Sequence, residues 1–282
     1  MASHQHEERL DHVLTPRTPR VVAARKLLRR RARDERGLFL AEGPRAVREA
    51  LAAGAVAEVF ATGDGLARHP DLAAPGVAVS RVTEDALAAL AGTVTPQGVV
   101  AVWRHVDAPL STVLATRPRL VAVLADVRDP GNAGTILRTA DAAGAGAVVF
   151  AGDAVDPYNG KCVRASAGSQ FHLAMARARD AAAAVRDARA AGLRVLAASG
   201  YGDSDLHDLA AGGDLSRPTA WLFGSEAHGL PDVLLAAADA RVRVPLYGRA
   251  ESLNLAAAAA VCLYASARAL HEESTRHDRP QV

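Results

Sequence analysis

The stretch Trp221–Ala265, WLFGSEAHGLPDVLLAAADARVRVPLYGRAESLNLAAAAAVCLYA, decides the reading of this chain. It spells a strand, a Gly-Glu-Gly turn, a helix, a second strand, a polar loop and an Ala-rich helix. The polar loop Tyr247-Gly248-Arg249-Ala250-Glu251-Ser252-Leu253-Asn254 ends on two residues that cap helices well. Two strand ends therefore each open into a Gly-containing loop that feeds a helix. That layout turns backbone N–H and C=O groups toward a small-molecule pocket, at the crevice where open α/β sheets bind ligands.

Around that stretch lies a chain of 282 residues, enough for one large or two small domains. Half of it is hydrophobic and only 4% aromatic, so Ala, Leu and Val must fill the core. No apolar run reaches the length of a membrane span, and the N-terminus MASHQHEERL is polar, unlike a signal peptide. Cys162 and Cys262 read as free thiols of a reducing cytoplasm. No CxxC or HExxH pattern occurs, so no metal site is expected. The net charge is +2, but Arg25 to Arg36 holds seven basic and two acidic residues, and Lys26 and Lys161 are the only lysines. A helix of this kind either grips phosphates, through Arg25, Lys26, Arg29 and Arg30, or shows a solvated face.

Residues 1–16 and the charged tail 272–282 read as disordered or flexible. From 17 to 104 short β patterns (Leu38 to Leu40, Val56 to Ala61, Val77 to Val79, Gly98 to Trp103) alternate with helices over Pro44 to Ala53 and Thr83 to Ala91, the second capped by Thr83. Residues 105–117, with prolines and no period, read as a linker. A second α/β unit follows over 118–271. Its strand candidates are Leu120 to Leu124, Ala147 to Ala151, Gln170 to Met175, Leu193 to Ala198, Ala220 to Phe223 and Val242 to Val244. Short apolar strands alternating with helices predict a mostly parallel sheet covered on both faces.

In Asp126-Val127-Arg128-Asp129-Pro130-Gly131-Asn132-Ala133-Gly134, a strand ends in a Pro-Gly turn and Asn132 is placed to cap the next helix. Arg138 follows within its first two turns. It reads either as a phosphate clamp or as a structural partner of Asp126 or Asp129. Gly144-Ala145-Gly146 precedes its strand, so it is a tight turn and no dinucleotide fingerprint. Gly224-Ser225-Glu226-Ala227-His228-Gly229 is not a nucleophile elbow. Asp203-Ser204-Asp205 lacks the other ligands of a metal loop. The loop before Lys161 and Arg164 brings cations near the same edge, as a functional element or as a turn.

Taken in order, three motifs resemble the SpoU (TrmH-like) family of the SPOUT superfamily, RNA ribose 2′-O-methyltransferases that use S-adenosylmethionine. They are Asn132-x-Gly134-x-x-x-Arg138-Thr139-Ala140, Leu222-Phe223-Gly224-x-Glu226-x-x-Gly229-Leu230 and Val244-Pro245-Leu246-x-Gly248-x-x-x-Ser252-Leu253-Asn254. The N-terminal unit, through Phe39-Leu40-Ala41-Glu42-Gly43 and Pro96-Gln97-Gly98-Val99-Val100-Ala101-Val102, resembles the L30e-like substrate-binding domain of that family. The resemblance implies a deep trefoil knot, a homodimer and an active site near the subunit interface. It implies a cofactor held at the backbone of Gly224, Val244 and Leu253. Glu226 and Ser252 would support the loops and reacting groups, and Asn132, Arg138 and Asn254 would face the ribose and its phosphate. It favours RNA for the basic residues Arg25, Lys26, Arg29, Arg30, Lys161 and Arg164. Asn159-Gly160 departs from the Ser-Pro expected before Lys161.

The implied reaction is an in-line displacement by a ribose 2′-oxygen on the methyl of a sulfonium. It needs neither metal nor leaving-group acid. Alignment and removal of one proton remain for the protein. Arginine stays protonated in proteins, so Arg138 suits a clamp for the developing alkoxide better than a base. Ribosomal RNA is the expected substrate, in the cytoplasm. A transfer-RNA methyltransferase and a non-catalytic RNA-binding protein are the alternatives.

Overall fold

The computed structural model describes residues 12–54, 56–73 and 76–277. Two compact units emerge: Met1–Val106 with Asp156–His172, and Asp107–Val155 with Leu173–Val282. In the first, β1 (Leu38–Glu42), β2 (Val56–Ala61), β3 (Val79–Arg81) and β4 (Val99–Arg104) form a sheet in the order β1-β4-β2-β3. β4 runs antiparallel to β1 and β2, and β3 parallel to β2. Helix Glu84–Leu90 starts at Thr83, whose hydroxyl accepts from Ala86 N at 3.2 Å, and it buries Ala86, Leu87 and Leu90.

The second unit holds β5 (Leu120–Ala125), β6 (Ala147–Ala151), β7 (Ala174–Ala178), β8 (Arg194–Ala198), β9 (Ser204–Asp205), β10 (Thr219–Phe223) and β11 (Ala240–Arg243). They pair in the order β7-β6-β5-β10-β8-β11-β9, every pairing parallel. β5, β6 and β10 are buried at every residue, as their unbroken apolar runs require of strands covered on both faces. Because β10 lies between β5 and β8, the chain's penultimate strand is central and its loop opens mid-edge. Helix Leu255–His277 packs on helix Pro130–Ala142 and against β5 and β10. Trp221 Nε1 donates to Ser266 Oγ at 2.9 Å, with both residues fully buried.

Several expectations change. Residues 12–16 are not disordered: Leu14 is buried, bridges Val82, and exchanges backbone hydrogen bonds with Arg81 and Thr83, because an apolar side chain finds a groove in the first core. The rest of that predicted segment, 1–11, lies outside the described residues. The linker 105–117 contains helix Leu110–Ala115, whose Val113 and Leu114 sit in the second core. The last helix continues through the expected tail to His277, and 278–282 lie outside the described residues. β3 and β7 start later than read, at Val79 and Ala174.

The largest difference is the excursion Asp156–His172, which leaves the span 118–271 and completes the first unit. Arg33 sends Nε (2.8 Å) and Nη2 (2.6 Å) to Asp156 Oδ2, while its Nη1 donates to the carbonyls of Leu27 and Leu28. Both partners are about 4% exposed, so this pair is desolvated and each charge requires the other. Aromatic rings seal the same join: Trp103 stacks on Phe171 at 4.0 Å, and His105 on Tyr158 at 3.8 Å. The Tyr158 hydroxyl accepts from Val106 N at 2.8 Å. Gln170 and Phe171, read as strand, form a short 3-10 turn instead, because this aromatic packing outweighs local β preference.

Candidate functional site

The loops following β5, β10 and β11 leave the carboxyl edge of the parallel sheet. Their side chains form one hydrogen-bonded chain. Glu226, in the loop after β10, accepts from the backbone N–H of Arg128 (3.2 Å) and Asp129 (3.1 Å) and from Asn132 Nδ2 (3.1 Å). Asn132 Oδ1 in turn accepts from Asn254 Nδ2 at 3.1 Å. Asn254 Oδ1 caps the last helix, accepting from Ala256 N at 2.9 Å and Ala257 N at 3.3 Å. Each amide thus has a fixed orientation, since its oxygen must accept and its nitrogen donate. Residues 94 and 122 positions from Asn132 converge on its one side chain.

The Glu226 loop is tight for a reason visible at Gly224. A Cβ there would lie 2.4–2.5 Å from the backbone of Gly229 and Leu230. Ser225 and Gly229 close the loop through paired backbone hydrogen bonds of 3.1 and 2.8 Å. Partial burial pushes the Glu226 pKa up, but the Asn132 amide, its own backbone N–H and those of Arg128 and Asp129 outweigh that, leaving it below the ordinary carboxylate range.

Asn132 does not cap its helix, as the sequence suggested. Asp129 does, its Oδ1 accepting from Asn132 N at 2.8 Å, which frees the Asn132 side chain for the crosslink. Asp129 is the residue that sequence reading undervalued; its signal was the Asp-Pro pair at a helix start. Arg138 is exposed on the same helix and has no hydrogen bond or ion pair among the described residues, so the structural pairing with Asp126 or Asp129 is absent. Ser252 is exposed, and its hydroxyl has no partner among the described residues. Of the expected cofactor contacts, Gly224 is buried, Val244 is half-buried and Leu253 is 39% exposed. Leu246 and Tyr247 of the same loop are 41% and 86% exposed, adding apolar surface at the sheet edge. Among the described residues, no three His, Cys, Asp or Glu side chains gather as a metal site would need.

The expected RNA contacts fall in the first unit. Arg25, Lys26, Arg29 and Arg30 are exposed. Arg30 pairs with Asp34 at 3.6 Å, whereas Arg25, Lys26 and Arg29 have no ion pair among the described residues. Lys161 is exposed and Arg164 half-buried, both on helix Gly160–Ser166 of the excursion.

Comparison with known proteins adds the following. Residues 119–264 match the model of the SpoU rRNA Methylase family, and residues 18–101 that of the MRM3-like substrate binding domain. The chain is 36% identical to the 23S rRNA (guanosine(2553)-2′-O)-methyltransferase RlmP of Bacillus subtilis, over 85% of this chain and 92% of that protein. It is 37% identical to the 23S rRNA (uridine(2479)-2′-O)-methyltransferase of Streptomyces viridochromogenes over 61% of each. The crystal structure of the AdoMet-bound rRNA methyltransferase from Sinorhizobium meliloti superposes with a TM-score of 0.81 at 35% identity, covering 92% of this chain and 98% of that one.

Proposed function

Since this chain belongs to the SpoU rRNA methylase family, we propose that it methylates a ribose 2′-hydroxyl of ribosomal RNA with S-adenosylmethionine. One observation carries the reading: Glu226, Asn132 and Asn254, from three separate motifs, are joined by direct hydrogen bonds at one sheet edge. The names of its relatives, rRNA 2′-O-methyltransferases, support ribosomal over transfer RNA.

The residues present fit the cofactor. Leu246, Leu253 and Val244 offer apolar contact for a purine, Gly224 lets its loop close without side-chain bulk, and the Glu226 carboxylate is already committed to Arg128 N, Asp129 N and Asn132 Nδ2. When bound, S-adenosylmethionine supplies a methyl group on a positively charged sulfur. The chain's own residues then have two tasks. The Glu226–Asn132–Asn254 chain fixes the loops that align the reactants, and such alignment is worth roughly 7–11 kcal/mol in favourable cases. Arg138, an unpaired cation, clamps the ribose and its phosphate and stabilises the 2′-oxygen as it loses its proton. Water or an RNA phosphate takes that proton, since a guanidinium cannot.

The same reading includes a cytoplasmic homodimer, a trefoil-knotted C-terminal unit and an N-terminal unit that docks RNA through Arg25, Lys26, Arg29 and Arg30. The central place of β10 and the packing of the last helix on Pro130–Ala142 support the knot. The deciding experiment is transfer of labelled methyl groups to ribosomal and transfer RNA from a strain lacking the gene, followed by mapping of the modified ribose. Label on a base nitrogen, on transfer RNA alone or on no RNA would overturn the proposal.

A further inference from the structure

β5 runs into a residue whose backbone is unusual for its type. Asp126 has φ +56°, in the left-handed region that favours glycine. Of the three non-glycine residues with positive φ among the described residues, it is the one that leaves a strand of the parallel sheet. We infer that Asp126 is a positioning residue for methyl transfer, holding the β5 loop in the shape that presents two N–H groups to Glu226. The inference rests on the proposed reaction and adds a residue to it.

The carboxylate holds this turn. Aspartate tolerates the left-handed conformation better than most residues, because its short side chain forms hydrogen bonds close by. Here that bond reaches the neighbouring loop: Asp126 Oδ1 accepts from Asp153 N at 2.6 Å. Asp153 follows β6, so the carboxylate ties together the loops after two adjacent strands. Gly152 makes room for it. Its φ is +69°, and a Cβ there would lie 2.4 Å from Asp126 Oδ1. Three more bonds close the same seam. Asp126 N donates to Ala151 O at 3.1 Å, Val155 N to Val127 O at 2.8 Å, and Arg128 Nη2 to Asp153 Oδ2 at 2.9 Å. The last of these is well exposed and adds little by itself.

The effect of the turn falls two and three residues on. The chain leaves Asp126, buries Val127 completely, and then sends the N–H groups of Arg128 and Asp129 to one carboxylate, that of Glu226. Asp129 next caps helix Pro130–Ala142, which carries Asn132 and Arg138. With an ordinary extended φ at position 126, the loop would leave β5 in another direction, and the two N–H groups would not meet Glu226. Asp126 is half-buried and its Oδ1 is taken by Asp153 N, so it acts through Glu226 and not on the substrate.

The test uses the full-length protein with three substitutions at this one position. Asparagine keeps an acceptor and tolerates a left-handed backbone, glycine keeps only the backbone, and alanine keeps neither. Methyl transfer to a ribosomal RNA fragment is resolved into kcat and KM. The amide resonances of Arg128 and Asp129 are followed by NMR, with Glu226→Gln as the reference for a weakened carboxylate contact. We expect Asp126→Asn to keep kcat within about twofold, and Asp126→Gly and Asp126→Ala to lose about 10- to 100-fold, the scale of a small misplacement of reacting groups. The KM for RNA should stay within about twofold in all three. The two amide resonances should move toward their Glu226→Gln positions in Asp126→Gly and Asp126→Ala, and stay in place in Asp126→Asn. Wild-type kcat in Asp126→Gly, a loss in Asp126→Asn as large as in Asp126→Ala, or an effect confined to KM would overturn the inference. If Asp126→Ala fails to fold, the glycine and asparagine variants decide, because they share the backbone conformation and differ in the acceptor. Failure of the wild-type protein to methylate any RNA would instead overturn the functional proposal, and the two amide resonances would still decide the role of Asp126.

Discussion

At the scale of single residues, the site depends on side chains whose partners are far away in sequence. Arg138 is exposed and has no hydrogen bond or ion pair among the described residues. Arg138→Ala should lower kcat by about 10²–10³, the usual loss for one donor to a developing oxyanion. Arg138→Lys should recover part of it without a new pH dependence. If activity of the lysine variant instead follows the titration of its amine, Arg138 acts as a base and the clamp role fails. Glu226 gives a second test. Its folded-state pKa lies below the ordinary value of 4.5, so its contribution to stability is present above that value and is lost as the pH falls through the folded pKa. Melting temperature against pH should therefore fall more steeply on the acid side for wild type than for Glu226→Gln. The variant should lose at least tenfold in methyl transfer at neutral pH, because its amide cannot accept as the carboxylate does from Arg128, Asp129 and Asn132. Parallel acid profiles would show that the carboxylate is not held as described.

Elements were more legible than crosslinks. Unbroken apolar runs announced β5, β6 and β10, and Thr83 and Asn254 announced helix starts that the structure contains. Asn132 was read as a cap because Asn favours that place; Asp129, three residues earlier, took it, and only the fold shows what Asn132 does instead. Gln170 and Phe171 were read as strand, but the ring that captures Phe171 belongs to Trp103, far upstream. The last helix carries two predictions. Ser266→Ala would orphan Trp221 Nε1 in the core and should destabilise by about 1–3 kcal/mol in urea unfolding. Burial pushes the Cys262 thiol up to about 12. The folded state therefore keeps the proton that the unfolded chain begins to release near the ordinary 9.0, and stability should decline as pH rises between those values. Labelling of Cys262 by a thiol reagent should proceed no faster than unfolding; fast labelling of folded protein would contradict this placement.

For the whole molecule, the organising fact is that the first unit is discontinuous in sequence. The basic run was read either as a phosphate grip through Arg25, Lys26, Arg29 and Arg30 or as a solvated face, and neither reading gives Arg33 the place it has, committed to Asp156, 123 positions on. No local pattern distinguishes Arg33 from its exposed neighbours. Asp156→Ala leaves a buried guanidinium without its counter-charge and should cost about 3–5 kcal/mol, seen as early unfolding of the first unit. A fragment of residues 12–106 should fail to unfold cooperatively on its own, because Phe39 and Trp103 lose the rings of Tyr158 and Phe171. A well-ordered isolated fragment would show that the excursion is dispensable.

The excursion also sets an order of events during synthesis. Domains usually fold as they leave the ribosome, amino-terminal first, at about 5–20 residues per second. Here the earlier-made half cannot close its aromatic cluster until translation has passed His172, by which time the β5 and β6 segments have also been made. The nascent chain therefore carries Phe39 and Trp103 uncovered for a period fixed by elongation speed. Slowing the ribosome between codons 107 and 155 should lengthen that exposure and increase aggregation, whereas slowing it after codon 172 should not.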